Sequence, residues 1–67
     1  MDNKVVKLVQ CLPLVLDDNL TSDKVYKVLS HQHNFYLIVD DRGSKVHKYT
    51  FKFRDVTSNK LLRELWL

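Results

Sequence analysis

His31-x-His33 is the one short spacing in this sequence that could bring two imidazoles together on the same side of an extended segment. Cys11 or His47 would then have to complete a tetrahedral metal site from elsewhere in the chain. Zinc patterns draw paired ligands from two places, and here there is one pair, so the spacing reads as surface histidines in a turn. Neither a metal nor an organic cofactor is expected. The carboxylate pairs Asp17-Asp18 and Asp40-Asp41 each sit beside turn-forming residues, where aspartate bonds to nearby backbone amides, and this reading competes with any acid–base role. No glycine-rich phosphate loop and no nucleophile motif accompany them. The reading is of a noncatalytic protein. Cys11 has no neighbour in sequence that would lower its pKa, so it is expected to be a small buried hydrophobe.

Binding chemistry has two candidate sources. The first is the leucine-rich ending Leu61, Leu62, Leu65, Trp66 and Leu67, which at helical spacing forms an apolar face able to enter a partner's groove or pair with its own copy. Intramolecular packing of that face over an open barrel end is its other reading. The second is the basic stripe Lys48, Lys52 and Arg54, with Lys45 and Arg42 near it, which could follow a phosphate backbone. Single-strand binders interleave such charges with exposed aromatics. Strict alternation from Lys45 to Phe53 instead puts His47, Tyr49, Phe51 and Phe53 on the inner side and Val46, Lys48, Thr50, Lys52 and Arg54 on the outer. A solvated lysine face that discourages edge pairing is the alternative meaning.

The elements that must position these residues are mostly strands. Lys4 to Gln10 is rich in β-branched residues and predicts the first strand. Cys11 to Asp23 holds Pro13 and clustered Asp, Asn, Thr and Ser, so it predicts a long loop. Leu12, Leu14, Val15, Leu16 and Leu20 make that loop apolar, and part of it should fold back over the core. Lys24 to Ser30 alternates so that Tyr26 and Val28 share a face. Asn34 to Asp40, with five consecutive apolar residues, suits a central strand covered on both faces or one wrapped tightly in a small barrel. Asp41-Arg42-Gly43-Ser44 supplies a tight reversal with the one glycine. Val56 closes a last short strand, and Thr57 or Ser58 is placed to cap a helix through Trp66.

At 67 residues the chain holds one domain, a barrel over 1–56 with a helix over 57–67, and oligomerisation is the natural aid to so small a core. A single cysteine excludes an internal disulfide and fits a reducing, cytoplasmic setting. The opening residues lack the features of a secretory signal, and no apolar run approaches the roughly 20 residues of a membrane span. Eleven basic against 8 acidic side chains permit an anionic partner without requiring one.

Leu20-Thr21-x-x-Lys24-Val25-Tyr26-x-Val28-Leu29, Tyr36-Leu37-Ile38-Val39-Asp40-Asp41-x-Gly43 and Phe53-Arg54-Asp55-Val56 together resemble small SH3-like barrel proteins of tailed phages and prophages. The resemblance covers about the central half of the chain and implies architecture, not a site. Relatives usually carry a glycine just before the Lys-Val-Tyr strand, where Ser22-Asp23 stands here, and generally lack the leucine-rich ending. The expectation is a mainly β, SH3-like antiparallel barrel of about five strands with a short C-terminal α-helix. Its expected work is that of a phage-type accessory protein binding another protein, with a host-directed modulator or inhibitor and a homo-oligomer both fitting that expectation. The alternative is a small nucleic-acid-binding or transcription-associated factor using strand 45–54.

Overall fold

Five antiparallel strands and one turn of 3-10 helix make up the regular structure of a computed structural model that describes residues 4–14 and 16–59. The strands are β1 (Lys7–Cys11), β2 (Val25–Gln32), β3 (Phe35–Val39), β4 (Lys45–Tyr49) and β5 (Phe53–Asp55), in the sheet order β4-β3-β2-β1-β5. β2 therefore holds the middle of the sheet. The expected central strand, β3, lies one place from the edge, with Tyr36 and Ile38 buried on one face and Leu37 and Val39 half-buried on the other.

The main core cluster lies on one face of the sheet, while Leu8, next to Val9 in β1, is buried on the other. Val9 and Cys11 of β1, Tyr26 and Val28 of β2, Tyr36 and Ile38 of β3, Phe53 of β5 and Leu20 of the loop pack together, as the alternation of Tyr26 and Val28 predicts. Each fully buried aliphatic side chain contributes about 1.5–3 kcal/mol. The Phe53 ring stands edge-on to Tyr26 at 6.2 Å and to Tyr36 at 6.0 Å, so side chains from β2, β3 and β5 meet across the concave side.

Chain connectivity forces that curvature. β4 and β5 are opposite edges of the sheet, which in a flat five-stranded sheet stand about 19 Å apart. Yet the 3-10 turn Thr50–Lys52 alone joins them, and four Cα steps reach about 14 Å at full extension. The sheet must bend until its edges approach, but β4 and β5 form no ladder with one another, so it is not closed into the barrel that the sequence predicts.

This turn also corrects the expected phase of the fourth strand. A single strand from Lys45 to Phe53 would send His47, Tyr49 and Phe51 inward with Phe53. The chain instead leaves the strand after Tyr49, and the turn resets the alternation. Val46 packs on the core and Phe53 is buried, whereas His47 is exposed and Tyr49 and Phe51 are 47% and 71% exposed.

The apolar loop folds inward in part. Leu20 is buried and Leu12 half-buried, but Leu14 and Leu16 are 91% and 97% exposed, and Val15 lies outside the described residues. The Thr57 hydroxyl, expected as a helix cap, instead accepts the N–H of Leu8 at 3.1 Å and donates to the Leu8 carbonyl at 3.2 Å. The helix expected through Trp66, and with it Leu61, Leu62, Leu65, Trp66 and Leu67, falls outside the described residues. Among those described there is no α-helix, and none long and apolar enough to cross a membrane.

Candidate interaction surface

Several of the groups with potential chemistry are met by a partner inside the protein. Lys7 donates to His31 Nδ1 at 3.3 Å, and His31 Nε2 lies 3.2 Å from the His33 carbonyl, so Nδ1 accepts and Nε2–H donates. His33 occupies the tight β2–β3 turn with φ of 49°. No group of three His, Cys, Asp or Glu among the described residues is arranged to hold a metal ion. Cys11 is buried, and burial, aided by the charges of Asp17, Asp23 and Asp41, pushes its thiol pKa up.

The aspartates act as clasps. Asp40 accepts the backbone N–H groups of Arg42 and Ser44, both at 3.0 Å, and the Arg42 guanidinium at 3.0 Å. Burial works against its charge, but these donors outweigh it and hold the carboxyl below the usual range. Asp40 thereby fixes the β3–β4 hairpin, whose Gly43 takes the expected positive φ of 84°. Asp41 accepts from Lys24 at 2.7 Å, Thr21 at 2.7 Å and Tyr26 at 2.8 Å, tying the hairpin to the loop. Those three hydrogen bonds, Lys24 first, lower its pKa to about 2. Asp17 accepts from Lys48 at 2.7 Å, from Lys52 at 3.3 Å and from the Asn19 N–H at 3.0 Å. Lys48 first, then Asn19, bring its pKa to about 2.

The basic stripe is thereby divided. Lys48 and Lys52 turn onto Asp17, and Arg54 donates to the Gln10 side chain at 2.7 Å beside a concavity shared with Val25, Asp55 and Val56. Lys45 stays exposed on the other face of β4. Lys48, Lys52 and Arg54, expected on one side of a strand with Lys45 near them, are therefore not presented together.

What the alternation concealed is an aromatic strip. Phe35 pairs with Tyr49 across β3 and β4, their rings 4.7 Å apart, and Tyr49 stacks on Phe51 at 5.3 Å with planes 19° apart. All three rings are exposed, alongside His47 and Lys45 of the same strand face. This run of aromatic surface lies outside the core and forms an open apolar patch on a small sheet. The signal that could have revealed it is the bulk at Tyr49-Thr50-Phe51: a narrow curled sheet cannot enclose Tyr49, Phe51 and Phe53 beside Tyr26 and Tyr36.

Compared with family models, with curated proteins and with solved structures, the chain matches none.

Proposed function

We propose that this chain is a noncatalytic binding module, built as an incompletely closed SH3-like barrel, that engages another protein through exposed apolar side chains. The observation that carries the reading is the open apolar surface of Leu14 and Leu16 in the loop and of Phe35, Tyr49 and Phe51 along β3, β4 and the turn. Asp17 tethers the leucine-bearing loop to Lys48 and Lys52, on either side of Phe51 in sequence, so loop and strip are anchored to the same stretch of chain. Buried aromatic anchors such as tyrosine carry much of the affinity in protein interfaces, and the apolar contacts around them exclude water. Support for the barrel is the forced approach of the sheet's two edges and the single helical turn between β4 and β5. An accessory protein of the phage type, acting as a host-directed modulator or inhibitor, fits this picture.

Affinity capture with immobilised protein tests it. A defined protein retained at 1 M salt and lost with the triple variant L14S/L16S/F51S is the expected result. Equal capture by wild type and variant would remove the apolar surface from the argument.

A second reading, single-stranded nucleic acid, is favoured by the spacing of the Phe35, Tyr49 and Phe51 rings beside Lys45. Titration of a fluorescent oligothymidine at low salt separates the two. Saturable binding that weakens steeply with salt and is lost in Y49S/F51S supports nucleic acid, and no anisotropy change eliminates it.

A further inference from the structure

The two sheet edges differ in what they leave unpaired. β5 is three residues long, whereas β4 runs for five, from Lys45 to Tyr49. In an antiparallel pair, alternate residues exchange main-chain hydrogen bonds with the neighbouring strand and the others point theirs away. Asp40 N–H donates to the Ser44 carbonyl and Thr50 N–H to the Asn34 carbonyl, which sets the phase: the even-numbered residues of β4 bond to β3. Lys45, His47 and Tyr49 therefore present their N–H and C=O groups at an edge that no strand among the described residues pairs. A lysine in mid-strand commonly guards such an edge. Here Lys48 is drawn inward onto Asp17, leaving the middle of the strand to His47.

We propose that β4 pairs antiparallel with β4 of a second copy, about a two-fold axis through His47. This register alone matches the phase of the edge and uses its full length. Lys45 then stands opposite Tyr49 of the partner subunit, and His47 opposite His47 of the partner subunit, so that every open N–H and C=O of the three residues finds a partner. Lys45 meets an aromatic ring and not a like charge, a favourable cross-strand pair. On the inner side Val46 stands opposite Lys48 of the partner subunit, whose ammonium is neutralised by its own Asp17. The edge is thus self-complementary in hydrogen bonds and in charge, as a two-fold interface requires. Two curled sheets become one, and their aromatic strips flank the seam.

Directly opposed residues in a hydrogen-bonded antiparallel pair have Cα atoms about 5.5 Å apart, within reach of a disulfide. With Cys11 buried, His47→Cys adds one accessible thiol per chain. Under mild oxidation with glutathione it is expected to form a covalent dimer rapidly, while Lys45→Cys, about 14 Å from its own copy in this register, is not. Equal cross-linking of the two variants would overturn the register. Independently, sedimentation of the wild-type chain should show a concentration-dependent dimer. His47→Pro removes N–H groups that face only the seam, and an edge strand accepts proline there, so the dimer should weaken by about 30-fold or more with the β spectrum retained. A wild-type monomer up to millimolar concentration, or a His47→Pro dimer as tight as wild type, would sink the proposal.

Discussion

Lys48 Nζ lies 2.7 Å from Asp17 Oδ2, an ion pair that joins β4 to the apolar loop across 31 residues of sequence. Asp17 shares the same oxygen with Lys52 at 3.3 Å, so one carboxylate holds the strand and the turn that follows it. Both lysine side chains are mostly covered, at 19% and 24% exposure, and Asp17 is at 11%. Charge-assisted hydrogen bonds in such a setting are stronger than surface pairs. Asp17→Asn should cost about 1–2 kcal/mol, read as a lower urea midpoint with unchanged slope. An unaltered midpoint would mean that the loop is held by its backbone bonds alone.

The same substitution bears on the nucleic-acid reading. Freed from Asp17, Lys48 and Lys52 become available to phosphate. If the chain binds single strands, Asp17→Asn should tighten low-salt binding to oligothymidine and steepen the salt slope by about 0.7 for each lysine recruited. If it does not, the variant stays as inert to the oligonucleotide as wild type.

Acid should destabilise the fold in a defined window. Asp17 and Asp41 both titrate at about 2 in the folded chain against an ordinary value of 3.8. The unfolded chain therefore takes up protons first as pH falls, so the stability these groups supply is complete above the unfolded value and is lost on the way down to pH 2. Urea midpoints measured between pH 6 and pH 2 should fall most steeply below about pH 4. Asp17→Asn and Asp41→Asn should each flatten the profile, and a double variant with the wild-type slope would refute the assignment.

Two phenylalanines two positions apart should respond oppositely. Phe53 is 8% exposed within the core and Phe51 is 71% exposed. Phe51→Ser should change stability by less than about 0.5 kcal/mol, whereas Phe53→Ala should cost about 3–5 kcal/mol, enough to unfold a domain this small. Phe53→Leu, which keeps most of the volume, should remain folded with a lower midpoint. A large loss at Phe51 would mean that the strand runs unbroken from Lys45 through Phe53.

That contrast marks where the sequence was legible. The reversal at Asp40 to Ser44 was readable because glycine and aspartate carry their turn chemistry locally. Tyr26 and Val28 were readable because β2 keeps a clean alternation where it crosses the core. The phase of β4 was not, since Tyr49-Thr50-Phe51-Lys52-Phe53 alternates without a break through a turn that interrupts the strand. Nor could alternation show that Asp17 would claim Lys48 and Lys52, because nothing local pairs residues so distant in the chain. Candidate surface residues were misplaced for the same reason: Tyr49 and Phe51 were assigned to the core by parity alone.

Asp23 offers the last test. It adopts φ of 66°, a left-handed conformation that costs an ordinary L-residue about 1–2 kcal/mol and aspartate somewhat less. Its N–H donates to the Cys11 carbonyl at 2.8 Å and its own carbonyl accepts the Gln10 side chain at 2.9 Å, so the backbone is held there as β2 begins. Asp23→Gly relieves the strain but enlarges the freedom of the unfolded chain, and the two effects nearly cancel, leaving stability within about 0.5 kcal/mol of wild type. Asp23→Val meets the full steric penalty and should lose more than about 1 kcal/mol. Gly43→Ala is the matching control: its φ is 84° and an added Cβ meets nothing within 4 Å, so its loss of about 1 kcal/mol reports backbone conformation alone. Should Asp23→Val prove as stable as Asp23→Gly, the backbone at this position is not left-handed, and the entry into β2 must be built differently.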